Sequence, residues 1–124
     1  MFPKSSKEKG DIGEEVARSY LKHEGFVILH RNYRASSGEI DIIAREGMTV
    51  VFVEVKSSMK GAFGDPLGWV PGWKQQRIIK ASLAYLKAQG TAEPPMRYDV
   101  ITVDQERKVV HVRDAFRPAG PFPV

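Results

Sequence analysis

The chain has 124 residues, of which 42% are hydrophobic and 27% are charged, a balance typical of one globular domain with a single core. No apolar run approaches the roughly 18 residues that a transmembrane helix needs, and the start shows no signal-peptide pattern. The absence of cysteine excludes disulfides and thiolate zinc sites, and we expect a cytoplasmic protein without a membrane partner. A net charge of +4 is compatible with a polyanionic partner and equally with a plain soluble protein.

The first part of the chain predicts a basic arm followed by a helix. Residues 1–9 carry three lysines next to the chain terminus and are expected to form a flexible arm. A helix should then run from Asp11 to about His23, with Asp11 as its cap and Gly25 as its stop. Glu14 occupies the capping-box position, where a carboxylate favours the helix N-terminus.

A short apolar strand is predicted over residues 26–30, and residues 31–37 should lead from it into the next strand. Arg31 and Arg34 flank Tyr33, and this combination suits phosphate contact and base stacking. Surface arginines are common, so a solvated pair is the alternative interpretation.

The centre of the chain, residues 38–56, predicts a β-hairpin, because two runs rich in Val and Ile are joined by a short link containing glycine. If Gly47-Met48 forms a two-residue type II′ turn, Asp41 falls opposite Glu54. Side chains alternate along a strand, so four charged residues share one face of the hairpin: Glu39, Asp41, Glu54 and Lys56. The opposite face is entirely apolar and should be core: Ile40, Ile42, Ala44, Val51, Val53 and Val55.

The opposed acids of the hairpin need a cation. Like charges directly opposite on a sheet are destabilising by roughly 0.2–1 kcal/mol. Lys56 is near enough to be that cation, and a hard divalent ion such as Mg²⁺ or Mn²⁺ is the other candidate. A surface salt-bridge cluster, with about 0–1 kcal/mol per pair, is the structural alternative, but it does not explain why Asp41 and Glu54 oppose each other.

A long loop should leave directly from this site. Residues 57–72 contain four glycines and two prolines, and a loop of that length in a compact domain is usually functional or mobile. Phe63 and Trp69 in this loop either stack on a nucleobase or pin the loop to the core.

The longest helical pattern of the chain predicts a helix from Trp73 to Gln89. Lys74, Arg77 and Lys80 gather on one side of it. A cationic helix face is ordinarily a solvated face, but here it follows the loop that leaves the site. A role in tracking phosphates is therefore the functional interpretation.

The last part of the chain predicts a second hairpin, with strands at residues 98–103 and 109–112. Asp99 alternates with apolar neighbours and is expected to be structural. The three histidines of the chain are scattered without the spacing of metal ligands. Residues 118–124 should form an irregular tail, which leaves residues 10–117 as the domain.

An Asp in one strand followed by Glu-Val-Lys at the end of the next, here Asp41 and Glu54-Val55-Lys56, resembles the PD-(D/E)xK signature of restriction-endonuclease-like nucleases. Ile40 stands where that signature has its proline. The wider pattern resembles the YraN-like family of small bacterial proteins, whose fold is similar to that of archaeal Holliday-junction resolvases. This match covers nearly the whole chain: Gly13-Glu14, Tyr20-Leu21, Gly38-Glu39-Ile40-Asp41, Phe52-Val53-Glu54-Val55-Lys56, Lys74-Gln75, Asp99-Val100 and Ala115-Phe116.

The resemblance implies a metal site and a set of catalytic residues. The implied ligands of Mg²⁺ or Mn²⁺ are Glu14, Asp41, Glu54 and the carbonyl of Val55. Asp41 and Glu54 would also belong to the catalytic set, with Lys56 holding the attacking water or neutralising charge on the phosphoryl group, and Gln75 orienting the water. The nucleic-acid-binding candidates are Arg31, Arg34, Lys74, Arg77 and Lys80.

The sequence thus predicts an α/β, restriction-endonuclease-like single domain, with a mixed central sheet, helices packed on it and the order α-β-β-β-α-β-β. The expected function is metal-dependent hydrolysis of phosphodiester bonds in nucleic acid, with DNA, including branched DNA, as the first candidate partner. The alternative is a nucleic-acid-binding or adaptor domain that has the fold without turnover. Resemblance to the resolvases is also compatible with a homodimer, although no isologous apolar patch is evident.

Overall fold

A computed structural model describes residues 6–57, 69–90 and 94–118, and of residues 6–10 it describes the backbone alone. The elements in chain order are helix α1 (Ser6–His23), strands β1 (Val27–Ala35), β2 (Gly38–Glu46) and β3 (Thr49–Ser57), helix α2 (Gly72–Gln89), and strands β4 (Met96–Val103) and β5 (Val109–Phe116). This is the predicted order α-β-β-β-α-β-β. Neither helix in these ranges is long and apolar enough to cross a membrane.

The five strands form one mixed sheet in the order β1-β2-β3-β4-β5. Strand β3 pairs in parallel with β4, and the other neighbouring strands pair antiparallel. Parallel neighbours need a crossover connection, which α2 supplies between β3 and β4. The predicted mixed sheet with packed helices is therefore confirmed.

The central hairpin has the predicted turn and register. Gly47 has a φ of 58°, whereas Met48 is not among the non-glycine residues with positive φ, and this combination fits a type II′ turn. The β2–β3 ladder runs from Glu46 opposite Thr49 to Ile42 opposite Val53. Short hairpins fix their register through the turn, so the position of one glycine determined which residues face each other.

The two helices cover opposite faces of the sheet, each over its own apolar cluster. The cluster under α2 includes Ile40, Ile43, Phe52, Trp69, Val70, Ile78, Ile79, Tyr85 and Tyr98. The cluster under α1 includes Ala17, Leu21, Phe26, Ile42, Ala44, Val51, Val53 and Ile101. The predicted apolar face of the hairpin is thus the face toward α1, with one exception at Ile40.

Ile40 is buried, but the prediction of its face was wrong, because it packs in the cluster under α2 although Ile42 packs under α1. In a regular strand, residues two apart share a face. The neighbouring strand explains the difference: Asn32, between the partners of Ile40 and Ile42, has a φ of 51°. Asparagine is one of the residue types enriched in this left-handed region. The regular alternation of faces is therefore broken at Asp41, and Ile40 and Ile42, on either side of it, pack on opposite faces of the sheet.

Several boundaries differ from the sequence prediction. Helix α1 begins at Ser6, so residues 6–9 form its first turns and Asp11 lies inside it instead of capping it. Strand β1 continues to Ala35, and β5 continues to Phe116. The remaining predictions for residues 1–5, for Phe63 and most of the 57–72 loop, and for residues 119–124 lie outside the described residues.

Candidate functional site

The two predicted acids meet where β2 separates from β3, beyond the last ladder pair. Asp41 and Glu54 are joined by a hydrogen bond between their side chains, and the Val55 N–H donates to Asp41 Oδ2 at 2.8 Å. The side chain of Glu54 is only 6% exposed. The predicted juxtaposition of Asp41 and Glu54 on one face is confirmed.

The two carboxylates repel each other in a buried place, and this repulsion changes the pKa of Asp41. Burial, and then the neighbouring charge of Glu54, raise the pKa of Asp41 from its ordinary 3.8 to about 7. The hydrogen bond from Val55 and the charge of Lys74 act in the opposite direction. A hydrogen bond between two carboxyl groups requires that one of them hold a proton. Near pH 7 the Asp41 carboxyl is therefore protonated about half of the time.

Lys74, in the first turn of α2, is the cation beside these acids. Its Nζ lies 3.0 Å from Glu54 Oε1, and its side chain is 40% exposed. The sequence had suggested Lys56 or a metal for this place, and Lys74 only as a contact for nucleic acid. The structure adds Lys74 as a direct partner of Glu54, because folding brings α2 over the sheet at this end, and a helix position cannot be inferred from hairpin register.

Lys56 and Gln75 both hold the segment that leads into α2. The Nζ of Lys56 donates to the Trp69 carbonyl at 2.5 Å, and Nε2 of Gln75 donates to the Val70 carbonyl at 2.8 Å. Trp69 is itself buried in the core, which agrees with the interpretation that it pins the loop. Lys56 and Gln75 thus approach one short segment from β3 and from α2.

Glu14 reaches the same site from α1, because that helix lies very close to β3. A Cβ on Gly13 would lie 1.9 Å from Ser57 Oγ and 3.3 Å from Ser57 Cβ, so any larger residue there would require Ser57 to shift. Burial, and then the charge of Asp41, raise the pKa of Glu14 from its ordinary 4.5 to about 7, while a hydrogen bond from Asn32 lowers it. Glu14 is not a cap, since the helix begins eight residues earlier at Ser6, and it is a neighbour of Asp41.

The carboxylates around Asp41 supply only part of the ligand set that a divalent ion requires. Within the described ranges, no group of three or more His, Cys, Asp or Glu side chains is gathered closely enough to form a complete metal site. Mg²⁺ is, however, usually bound through one or two carboxylates, with waters and substrate phosphates as its other ligands. Asp41 and Glu54 fit that pattern, and Glu14 is near enough for the charge of Asp41 to raise its pKa. The Val55 N–H already serves Asp41, and the role of its carbonyl stays a prediction.

The predicted nucleic-acid contacts are basic residues on two elements near the site. Arg31 and Arg34 lie within β1, not in a loop, with side chains 53% and 82% exposed. Arg77 and Lys80 are exposed on α2. These positions put positive charge on the edge strand and on the helix that carries Lys74.

A second polar cluster lies around Asp99, which is fully buried. Its carboxylate accepts hydrogen bonds from Arg97 Nε at 2.9 Å and from the Asp114 N–H at 3.0 Å, and it is paired with His111 Nε2 at 2.8 Å. Burial raises the pKa of Asp99, but the bonds from His111 and Arg97 outweigh it and hold the pKa below its ordinary value. The structural role predicted for Asp99 agrees with this geometry.

Sequence reasoning missed two contributors to the site. Asn32 donates to Glu14 from a left-handed backbone position, and the only signal for it was an asparagine in the predicted connection between two strands. Trp73 lies in the first turn of α2 beside Lys74 and is 64% exposed, and sequence position alone did not predict that exposure.

The fold and site define a small α/β protein with a five-stranded mixed sheet and a buried carboxyl pair at the end of its central hairpin. The model of the uncharacterised protein family UPF0102 matches residues 13–103, and the chain belongs to this family. A UPF0102 protein of Geotalea uraniireducens is 42% identical over 118 residues, which cover 92% of this chain and 93% of the relative. Relatives in Clostridioides difficile and Nitrosococcus oceani are 42% and 37% identical, with 90% and 94% of this chain and 99% and 98% of the relatives covered.

Proposed function

We propose that this chain is a divalent-metal-dependent endonuclease that hydrolyses phosphodiester bonds of nucleic acid in the cytoplasm, with DNA as the first candidate substrate. The observation that carries the proposal is the buried, hydrogen-bonded pair of Asp41 and Glu54. Burying two like charges side by side costs stability, and strongly perturbed carboxyl pKa values cluster at functional sites.

The acids would hold Mg²⁺ or Mn²⁺, which supplies a bound water of lowered pKa and stabilises charge that develops on the phosphoryl group. Asp41 must lose its proton to serve as a metal ligand. Because the pKa of Asp41 is about 7, metal affinity should rise between about pH 6 and pH 8. Glu14, whose pKa is also about 7, adds a second proton to that dependence.

The cationic and amide groups of the site have separate tasks. Lys56 Nζ, held by the Trp69 carbonyl, places a positive charge on the face that carries Glu54, where it would stabilise the transition state. Gln75 is fixed through Nε2 on the Val70 carbonyl, so its Oε1 is the atom that would accept a hydrogen bond from the attacking water. Lys74 brings a further charge beside Glu54 that suits a phosphate.

A nucleic-acid-binding or adaptor domain without turnover is the second candidate, and the ion pair of Lys74 and Glu54 favours it. An internal ammonium group at 3.0 Å already neutralises Glu54, as it would in a purely structural cluster. In that case the basic residues of β1 and α2 would bind nucleic acid while the acids only hold α2 on the sheet.

A substrate panel separates the two candidates. Labelled single-stranded, duplex, flapped and branched DNA, and matched RNA, would be incubated with the protein in Mg²⁺ or Mn²⁺, with Asp41→Asn purified in parallel as the control. The nuclease proposal predicts cleavage of at least one substrate by the wild type and none by the variant. Binding without cleavage in either ion would favour the adaptor, and equal cleavage by both proteins would indicate a contaminating nuclease.

A further inference from the structure

Trp73 is a large aromatic side chain that is exposed to solvent in the first turn of α2. It is 64% exposed, whereas Trp69, four residues earlier, is 7% exposed and buried in the core. The other large hydrophobic residues exposed in the described ranges are aliphatic: Val27, Leu29, Met48 and Val110. Helix packing therefore does not account for Trp73.

The ring of Trp73 is accompanied by a cation on the same helix face. The guanidinium carbon of Arg77 lies 5.6 Å from the centre of the ring, within the range of a cation–π contact. Arg77 follows one helical turn later, so the pair is fixed by helix geometry. The backbone there is closely packed as well, because a Cβ on Gly38 would lie 3.3 Å from the Arg77 carbonyl oxygen. The start of β2 thus packs directly against this turn of α2.

The ring belongs to the same helix turn as Lys74, the residue that reaches the carboxyl pair. Lys74, the following residue, reaches Glu54 at 3.0 Å, so Trp73 is one residue away from a side chain of the site. The first turn of α2 has no acidic residue, and Lys74 and Arg77 surround the ring with positive charge. A flat ligand that carries negative charge therefore matches this surface better than a protein segment that is apolar or lacks acidic residues.

We propose that Trp73 and Arg77 form a stacking platform for an unpaired nucleobase whose neighbouring phosphate lies at the carboxyl pair. Bases stack on aromatic side chains and on arginine planes when they are unpaired, whereas bases inside a duplex are already stacked on each other. The substrate class is therefore nucleic acid with single-stranded nucleotides at the cut site, such as a flap or a junction. The proposal rests on the proposed function, since it takes nucleic acid as the ligand of the site.

The test measures binding in a protein that cannot cut. In the Asp41→Asn background, anisotropy of a labelled 20-nucleotide oligothymidylate and of a blunt duplex would be compared with and without Trp73→Ala. Trp73→Ala should weaken single-strand binding by roughly 5- to 100-fold, the loss expected for one stacked base, and change duplex binding by less than about 2-fold. Lys87→Ala, on the last turn of the same helix, is the matched control and should change neither.

Fluorescence adds a readout that a structural role would not produce. The chain has two tryptophans, and the oligonucleotide should quench the emission of the exposed one. Trp73→Phe should keep most of the single-strand affinity, because phenylalanine also stacks, but lose that quenching. Unchanged single-strand affinity in Trp73→Ala, or an equal loss for duplex, would overturn the platform while leaving nucleic-acid binding intact. If the Asp41→Asn parent binds neither probe, the proposed function and the platform both fail.

Discussion

The carboxyl pair should make the stability of this protein fall as the pH rises through the acid range. Asp41 has an ordinary pKa of 3.8 and a pKa of about 7 in the folded chain. Between these values the unfolded chain releases a proton that the folded chain retains, so the free energy of unfolding decreases with increasing pH. The contribution is fully present below 3.8 and is lost by the time the pH has passed about 7.

Asp41→Asn removes this dependence, because an amide has the same shape, can accept the Val55 N–H and does not ionise beside Glu54. At about 1.4 kcal/mol per pH unit, the interval from 3.8 to about 7 corresponds to a loss of about 4 kcal/mol in the wild type. About 3 kcal/mol of that loss falls between pH 4.5 and pH 7.5. The gap in unfolding free energy, variant minus wild type, should grow by that amount across the interval.

Urea denaturation followed by circular dichroism, in metal-free buffer at both pH values, measures the gap. Glu106→Gln, an exposed acid in the β4–β5 connection, is the control and should follow the wild type. Saturating Mg²⁺ at pH 7.5 should then stabilise the wild type by about 2.7 kcal/mol at a hundredfold excess over Kd, and Asp41→Asn by much less. A gap that stays constant within about 0.5 kcal/mol would show that folding does not hold the Asp41 carboxyl protonated against Glu54.

Two further substitutions test the scaffold around the site. Asp99→Asn removes the buried charge that pairs with both Arg97 and His111, so the free energy of unfolding should fall by about 3–5 kcal/mol in urea denaturation. Mn²⁺ affinity at the carboxyl pair should be unchanged in calorimetry. Gly13→Val places a side chain where Ser57 already lies, and overpacking should lower the unfolding free energy by about 1–3 kcal/mol. Because α1 then moves away from β3, Gly13→Val should also make Mn²⁺ affinity depend less on pH, by removing the contribution of Glu14. An unchanged pH dependence would show that Glu14 does not take part in metal binding.

The hairpin was predictable because its information is local. A glycine at position 47 fixes the turn, the turn fixes the register, and strict alternation then assigns faces to Asp41 and Glu54. The same logic failed at Ile40, since the left-handed backbone of Asn32 belongs to the neighbouring strand and no alternation rule contains it.

The remaining parts of the site depend on how elements pack. Lys74 and Glu14 reach the carboxyl pair from two helices on opposite faces of the sheet, and their distance from it depends on close contacts such as that of Gly13 with Ser57. Helical periodicity predicted that α2 is a helix, but not that its first turn would lie over the end of β3. The sequence shows that Lys74 is charged, but it does not predict that Lys74 pairs with Glu54.

The most direct test of the nuclease proposal is single-turnover cleavage of a flapped or junction DNA by the wild type and by Lys56→Ala. Lys56 touches the loop segment and faces the site without being a metal ligand, so its removal should leave Mn²⁺ and DNA affinity within a few-fold. The loss of a positive charge aimed at the transition state should lower the cleavage rate by about 100-fold or more. Cleavage by the wild type, and its loss with binding retained in Lys56→Ala, is the predicted result. Wild-type protein that binds Mn²⁺ and DNA but cuts no bond in either ion would contradict it.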